Sequence, residues 1–277
     1  MKTLQKLKTF ALASVLVIAG LGADIGTASA DGLLEEIQKR GKLRVGMSTF
    51  VPWAMRDVNG ELMGFEIDVA TKVAEDIGVK VEFIPTAWSG IILALLAKKF
   101  DLIIGGMSIT PQRNLTVNFT IPYAHSGQQM AASKKLAGGF TSKDDFNSSQ
   151  VTIACRRGAT PCKVALDMFP KASVRRFDDD AQAFQEVVNG NAHAVISSAP
   201  SPLFWSQTYP DKIFMPFGNE NLTMGDEAFA LRKGDPDSLN FFSNWVTVNT
   251  SNGWLANRHD FWFKDQSAWK EQVASDQ

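Results

Sequence analysis

The sequence has 277 residues, of which 45% are hydrophobic, enough for one large domain or two small ones with buried cores. Its 28 Lys and Arg residues nearly balance its 29 Asp and Glu residues, and the formal net charge is −1. This balance excludes the basic surface expected of a protein that binds nucleic acid or an anionic membrane surface.

The first thirty residues have the pattern of a secretory signal peptide. Three lysines lie among the first eight residues, an apolar run follows at 10–23, and small residues at 28–30 offer a cleavage site. The run is shorter than the roughly 20 apolar residues of a spanning helix, and no later stretch approaches that length. We therefore expect residues 1–30 to be removed and the mature chain to be exported.

The sequence contains two cysteines, Cys155 and Cys162, which are too few for a scaffold built on disulfides. In an oxidising compartment they could pair, since both are expected at one strand–turn–helix corner. Two free thiols are the open alternative, because geometry decides whether a disulfide can form.

Helices and strands alternate in the first half of the chain. The helix at 65–77 is predicted because apolar residues recur every four positions, and Gly78 ends it. The predicted elements are a helix at 31–40, a strand at 42–47, the helix at 65–77, a strand at 80–85, a helix at 89–98 and a strand at 101–104.

The same order of elements returns in the second half. It comprises a strand at 150–154, a helix at 161–168, a strand at 173–177, a helix at 181–189 and a strand at 192–196. Such alternation predicts right-handed crossovers and largely parallel sheets. We therefore expect an α/β protein with two lobes, whose strand ends face a shared crevice.

Two extended runs, at 127–134 and 227–232, interrupt this alternation and are predicted to be crossover strands between the lobes. The aromatic-rich helical tail at 236–270 is expected to pack back on the first lobe. The first lobe would then comprise residues 31–127 and 228–277, and the second residues 132–224. A lobe with a hinge on both sides suits closure around a ligand.

A candidate anion site lies at the end of the strand at 101–104. Thr110 can cap the helix that follows, and Pro111 suits its first position. Arg113 then falls in the first turn, where a cation is disfavoured unless an anion arrives. Its guanidinium can hold a carboxylate with two hydrogen bonds. An exposed or structural arginine is the alternative.

Three motifs resemble those of bacterial periplasmic solute-binding proteins of family 3, which bind polar amino acids. Residues 64–70 (GFEIDVA) are similar to GFDVDLA, residues 105–113 (GGMSITPQR) to GMSITPER, and residues 119–123 (FTIPY) to FSDPYY. The resemblance implies a two-lobed type II periplasmic-binding fold with two crossover strands as its hinge. It also implies a monomeric periplasmic protein that feeds an amino acid or related organic acid to the membrane subunits of an ABC importer, without a cofactor.

The resemblance also implies roles for individual residues. Arg113 is expected on the ligand's carboxylate together with Thr160, at a helix N-terminus of the second lobe. The carbonyl of Gly106 and the hydroxyl of Ser108 are expected near the ligand's amino group. Its aliphatic part would lie between two aromatic faces, those of Phe50 and Trp88. Core packing is the alternative for both rings.

The chain departs from the family pattern at Ser198. The usual motif, DAVISDAP, has an acidic residue that pairs with the ligand's ammonium, whereas residues 193–200 read HAVISSAP. A buried ammonium without a carboxylate partner is costly by several kcal/mol. Either Asp226 or Glu227 supplies that charge, or the ligand has no ammonium.

A second departure is the basic pair Arg156 and Arg157, which precedes the turn at Gly158. In some relatives this position reaches the ligand's side chain, and a second arginine facing Arg113 would suit a ligand with two anionic ends. The alternative is a solvated basic pair beside the acidic run at 178–180.

An enzyme is the alternative to a binding protein, because cyclohexadienyl dehydratases share this fold. Those enzymes are similar through the turn at 158–160 but carry a glutamate shortly after it, where this chain has Cys162. A thiol with an ordinary pKa of about 8.5 replaces a carboxylic acid poorly. No familiar catalytic or metal-binding motif is present. We therefore expect a binding protein.

Overall fold

The computed structural model of this protein describes residues 32–274. The predicted signal peptide, residues 1–30, lies outside the described residues. Among the helices of the described part, none combines the length and the apolar character needed to cross a bilayer.

The first sheet consists mainly of N-terminal strands. The strand at 42–47 pairs in parallel with two neighbours, as the predicted strand–helix–strand order requires, whereas the strand contributed by the distant segment at 230–231 runs antiparallel. The spatial order is β4 (Lys80–Pro85), β1 (Lys42–Met47), β5 (Leu102–Ile103), β13 (Ala230–Leu231) and β6 (Asn118–Phe119). A separate hairpin joins β2 (Met55–Arg56) to β3 (Leu62–Met63).

The second sheet comes from the middle of the chain. Its order is β11 (Ile213–Phe214), β7 (Ala124–Ser133), β10 (Ala194–Ser198), β8 (Thr152–Arg156) and β9 (Ser173–Phe177), and β12 (Thr223–Glu227) also pairs with β7. β8 lies in parallel register with both β9 and β10, whereas β7 is antiparallel to β10. Each lobe thus has the predicted parallel core, extended by antiparallel strands.

The chain passes between the sheets twice. It leaves the first sheet after β6 and joins the second at Ala124; it returns between Glu227, at the end of β12, and Ala230 in β13. β7 and β12 pair with each other over the first five residues of β7. The two crossovers therefore run side by side, as expected of a hinge.

Helices cover both sheets. They are α1 (Leu33–Arg40), α2 (Phe65–Ile77), α3 (Ile91–Leu96), α4 (Pro111–Asn114), α5 (Lys134–Ala137), α6 (Lys143–Phe146), α7 (Thr160–Met168), α8 (Asp180–Val188), α9 (Ser201–Thr208), α10 (Pro236–Ser251) and α11 (Trp254–Phe263). Short 3₁₀ turns occur at Trp88–Gly90, Gln266–Ala268 and Lys270–Gln272. The bounds of α2 are those predicted, since its apolar face is buried and Gly78 adopts a left-handed conformation (φ 80°) at its end.

The C-terminal helices pack on α2, as predicted for the tail. Nε of Arg258 and Nε1 of Trp262 donate hydrogen bonds to one carboxylate oxygen of Asp68, at 2.9 and 2.6 Å. Nε1 of Trp245 donates similarly to Asp76 at 2.8 Å. Polar ends of buried aromatic rings thus anchor the tail to the first lobe.

Candidate functional site

Residues of the two lobes meet at an interlobe surface, which we call the cleft. Trp53 of the first lobe donates through Nε1 to the carbonyl of Ala199 in the second (3.0 Å), and the hydroxyl of Ser201 donates to the carbonyl of Val51. The predicted site residues lie at or beside this surface, and Ser198 directly precedes Ala199 in the chain.

The loop after β5 forms one wall of the cleft. At Gly106 the backbone is left-handed (φ 63°), and a Cβ atom would lie 2.9 Å from Cζ of Phe50. A side chain is therefore excluded at this position, and the ring of Phe50 packs directly on the loop. The Gly106 amide donates a hydrogen bond to the hydroxyl of Tyr123 (3.1 Å), which fixes the loop to the first lobe.

Arg113 connects the two lobes. Thr110 caps α4 as predicted, because its hydroxyl accepts a hydrogen bond from the Arg113 amide (3.1 Å). The guanidinium donates through Nη1 to the carbonyl of Ser108 (2.8 Å) and through Nη2 to the carbonyl of Gly158 in the second lobe (3.1 Å). Burial, and then the charge of Arg156, lower the pKa of Arg113 to about 10. The group therefore stays charged at neutral pH.

Arg156 occupies the space between the two aromatic faces. Its Cζ lies 4.5 Å from the ring centroid of Phe50 and 4.7 Å from that of Trp88, and the residue is 4% exposed. Its Nη1 donates to the hydroxyl of Ser48 (3.3 Å). The resemblance assigned this space to the ligand's aliphatic part. Here a guanidinium fills it, with the geometry of a cation–π contact on both sides.

The basic pair at 156–157 is divided between two environments. Arg157 is exposed and forms an ion pair with Asp178 (2.9 Å), which fits the prediction of a solvated pair. Arg156 is buried, and this half of the solvated-pair alternative is wrong. Successive residues at the end of β8 point to opposite faces of the sheet, so one arginine enters the cleft and the other faces solvent.

A disulfide closes the loop that carries the second-lobe residues. Cys155 and Cys162 are bonded, with Cα atoms 5.3 Å apart, which settles the alternatives left open by the sequence. The loop between them contains Arg156, the Gly158 carbonyl and Thr160. The hydroxyl of Thr160 donates to that of Ser108 across the cleft (3.2 Å). The covalent ring thus holds the second-lobe wall of the site.

Glu227, rather than Asp226, is the acidic residue in the cleft. It is 1% exposed, and Oε1 accepts a hydrogen bond from the hydroxyl of Ser126 (2.7 Å), whereas Oε2 accepts none from the described residues. Burial raises the pKa of Glu227 to about 8, against the lowering effect of the Ser126 hydrogen bond. Asp226 is instead exposed, and its Oδ1 lies 2.7 Å from Nδ1 of the exposed His125.

The hydroxyl of Ser198 is hydrogen-bonded to a neutral side chain. The residue ends β10, and its hydroxyl donates to Oε1 of Gln128 in the neighbouring strand (3.3 Å). Glu227 is beside Ser108, through an antiparallel bridge between the two residues. The buried carboxyl group beside Ser108 therefore comes from the returning crossover, whereas the motif at 193–200 contains no acidic residue.

Two buried carboxyl groups near the site were not identified from the sequence. Asp180, the first residue of α8, is 3% exposed and accepts hydrogen bonds from the Ser197 hydroxyl at 2.9 and 3.0 Å. Burial raises its pKa, and the charge of Arg156 opposes this shift. Glu66 accepts a hydrogen bond from the Tyr123 hydroxyl (2.7 Å), and burial raises its pKa to about 8. The sequence signal that could have identified both residues is an acidic residue on the helix face that also carries the buried apolar residues.

Two cavities lie near these residues. One of about 270 Å³ adjoins Phe50 and is lined by Thr49–Val51, Asp179–Gln182 and Trp205. Another of about 440 Å³ lies between α9 and the C-terminal segment, and none of the predicted site residues lines it. The charges of the cleft, not cavity size, therefore mark the candidate site.

Known proteins are similar to this chain over most of its length. The L-cystine-binding protein TcyJ of Escherichia coli (strain K12) is 27% identical over 255 residues, which cover 91% of this chain and 94% of the relative. The cyclohexadienyl dehydratase of Pseudomonas aeruginosa is 24% identical over 254 residues, with the same coverage. A solved structure of a putative ABC-transporter binding component from Wolinella succinogenes, complexed with lysine, is 35% identical. It has a TM-score of 0.77 over 84% of this chain and 99% of that one.

The two-lobed fold predicted from the motifs is thus confirmed, with a sheet in each lobe and paired crossovers between them. The family model for bacterial extracellular solute-binding proteins, family 3, matches residues 43–265, which include most of both lobes. This chain belongs to the bacterial extracellular solute-binding proteins of family 3.

Proposed function

We propose that this protein is the extracytoplasmic solute-binding component of an ABC importer and binds a small carboxylate-bearing solute, an amino acid or a related organic acid, in the cleft. One observation carries the proposal. Arg113 places a charged guanidinium between the lobes, where it contacts main-chain carbonyls of both and pairs with no carboxylate of the described residues. A solute carboxylate would supply the missing charge and link the lobes.

In this proposal the remaining residues divide the solute between them. Thr160 adds donors to the carboxylate at the start of α7, and Gly106 and Ser108 lie on the opposite wall. Glu227 takes the solute's ammonium, because its Oε2 is buried beside Ser108 and accepts no hydrogen bond from the described residues. The names of relatives that bind cystine and lysine support a solute with both groups.

Membership of this family supports a proposed location and proposed partners. The signal peptide predicted at 1–30 would deliver the chain to the periplasm, where it would act as a monomer and dock on the importer's membrane subunits. The lobes would comprise residues 31–127 with 228–277 and residues 132–224, and the paired crossovers would act as the hinge. No catalytic residue or cofactor enters this proposal.

The dehydratase-like alternative is less favoured, although a relative has that activity. It needs a proton-handling group shortly after the turn at 158–160. Cys162 stands there, and its sulfur is bonded to Cys155, so it offers no titrating proton. The alternative predicts turnover of prephenate or arogenate by the purified protein, whereas the binding proposal predicts none.

The test is titration calorimetry of the purified protein, refolded to remove co-purified solute, with a panel of amino acids and organic acids. Arg113→Ala should weaken binding at least about tenfold, because loss of one partner of a desolvated charge pair costs about 2–5 kcal/mol. Exposed Arg157→Ala is the matched control and should bind like the wild type. An unchanged affinity in Arg113→Ala would reject this assignment.

A further inference from the structure

The cleft holds two cations, the buried Arg156 and the half-buried Arg113, that have no anionic partner among the described residues. Arg113 donates only to main-chain carbonyls, and Arg156 has a single side-chain hydrogen bond, to Ser48. Nε of Arg156 is buried and has no hydrogen-bond partner within the described part of the chain. Buried charges are normally paired, because an uncompensated one is costly. Two unpaired guanidiniums at one site therefore indicate two anionic groups on the ligand.

Both guanidiniums lie close to the indole of Trp88. Their Cζ atoms lie 5.9 Å (Arg113) and 4.7 Å (Arg156) from the Trp88 ring. They are close enough for the charge of Arg156 to lower the pKa of Arg113. Anions placed between them would relieve this repulsion as well as the desolvation of each group.

The internal acid nearest to Arg156 does not replace such a ligand. Asp180 is held by the Ser197 hydroxyl, and it forms no ion pair with Arg156. Asp179 adds a further negative charge that acts on Arg156 at a distance. These acids moderate the charge of Arg156, but within the described residues they leave its buried Nε–H without an acceptor.

A ligand with a cationic side chain is disfavoured beside Arg156. The space between Phe50 and Trp88, which suits a cation, is filled by the guanidinium of Arg156. A lysine- or arginine-like ligand would have to displace this buried side chain or lie against two like charges. By contrast, Oε2 of Glu227 accepts no hydrogen bond from residues 32–274 and can accept one from an ammonium.

We propose that the solute is an amino acid with an acidic side chain. Its side-chain carboxylate would lie on Arg156, its α-carboxylate on Arg113 and its ammonium on Glu227. This inference rests on the proposed function and adds Arg156 as the residue that determines side-chain specificity. Planar, bidentate recognition of a carboxylate is the chemistry to which a guanidinium is suited.

The experiment uses ligand pairs that differ only in charge. Calorimetry of the refolded wild type compares L-glutamate with L-glutamine and L-aspartate with L-asparagine, with L-lysine as the cationic member. We expect one acidic ligand to bind at least about tenfold more tightly than its amide, since a desolvated charge pair is at stake. In Arg156→Met this preference should fall to within about threefold, with the amide still bound.

Two further variants serve as controls. Arg157→Met removes the exposed neighbouring charge and should keep the wild-type preference, and Arg156→Lys should keep part of it. If circular dichroism shows that Arg156→Met does not fold, the ligand preferences of Arg156→Lys and of the wild type still test the inference. A wild type that prefers lysine or the amides, or an Arg156→Met variant that keeps the acidic preference, would overturn the inference. Either of these results would leave the proposed function standing, provided that binding still depends on Arg113. A wild type that binds no amino acid or organic acid would end both the inference and the proposed function.

Discussion

At the residue scale, the role proposed for Glu227 would link solute binding to pH. Its pKa is raised to about 8, so at pH 7 the free protein carries it mostly protonated. An ammonium on Oε2 favours the ionised form, because opposite charges stabilise each other. Binding should then expel a proton.

We therefore expect the affinity for an amino acid to rise between pH 6 and pH 8 and to level off above the pKa of Glu227. Calorimetry in two buffers with different ionisation enthalpies should show a proton released on binding at pH 7. Glu227→Gln should release none. Asp226→Asn removes a neighbouring charge that helps to raise the pKa of Glu227, so this variant should still release a proton, but a smaller fraction of one at pH 7. Equal heats in the two buffers for the wild type would contradict this role.

The individual site residues show what local sequence can reveal. Thr110 and Arg113 were predictable because a cap and a first-turn cation depend on three or four consecutive residues. The position of Arg156 between Phe50 and Trp88 was not, because it joins segments more than sixty residues apart. The burial of Glu66 and Asp180 likewise depends on which face of a helix meets the rest of the protein.

At the element scale, the disulfide-closed loop from Cys155 to Cys162 organises the second-lobe wall. Its ends lie in β8 and α7, and the groups that reach the cleft lie between them. In the chain-entropy account, a loop of this length contributes about 2–3 kcal/mol to the free energy of unfolding. Under the proposed function, the loop would also keep the proposed binding groups ordered before the solute arrives.

Replacing both cysteines by serine should therefore lower the melting temperature and weaken solute binding at least about threefold, even well below that temperature. The reason is that the solute must then order the loop. A reducing agent should reproduce both effects in the wild type and should change neither property of the double variant. Wild-type affinity in the double variant would show that the flanking elements alone position the loop.

The bounds of the predicted and observed elements differ where tertiary contacts determine the backbone conformation. α2 and β1, β4 and β9 have the predicted bounds, because their periodicity and terminating residues are local. The helix predicted at 89–98 begins instead as a 3₁₀ turn at Trp88 and stops at Leu96, shortly before Lys98 adopts a positive φ of 57°. The run predicted at 227–232 is divided between β12 and β13, because the chain changes sheets there.

At the scale of the whole molecule, Glu66 makes stability depend on pH. It is fully buried, and its pKa of about 8 lies well above the ordinary value of 4.5. Below the ordinary value, both the native and unfolded states hold the proton. Between that value and pH 8 only the native state holds it, so stability must fall as pH rises, and the loss is complete above pH 8.

Urea unfolding between pH 5 and pH 8.5 should show this decline, to which one such group contributes up to about 1.4 kcal/mol per pH unit. Glu66→Gln should make the decline shallower, although Glu227 adds a slope of its own. Glu75→Gln, an exposed acid on the same helix, is the control and should follow the wild type. Parallel curves for Glu66→Gln and the wild type would show that Glu66 ionises as readily in the native protein.

The ring between Cys155 and Cys162 also bears on how specificity changes in such proteins. Its ends are fixed in a strand and a helix, so substitutions within it can alter the chemistry shown to the solute without redirecting the sheet. We therefore expect the residues of this loop to be replaceable without a change in the surrounding fold. Engineers who wish to retune this protein into a sensor for another metabolite should begin by diversifying the residues inside that ring.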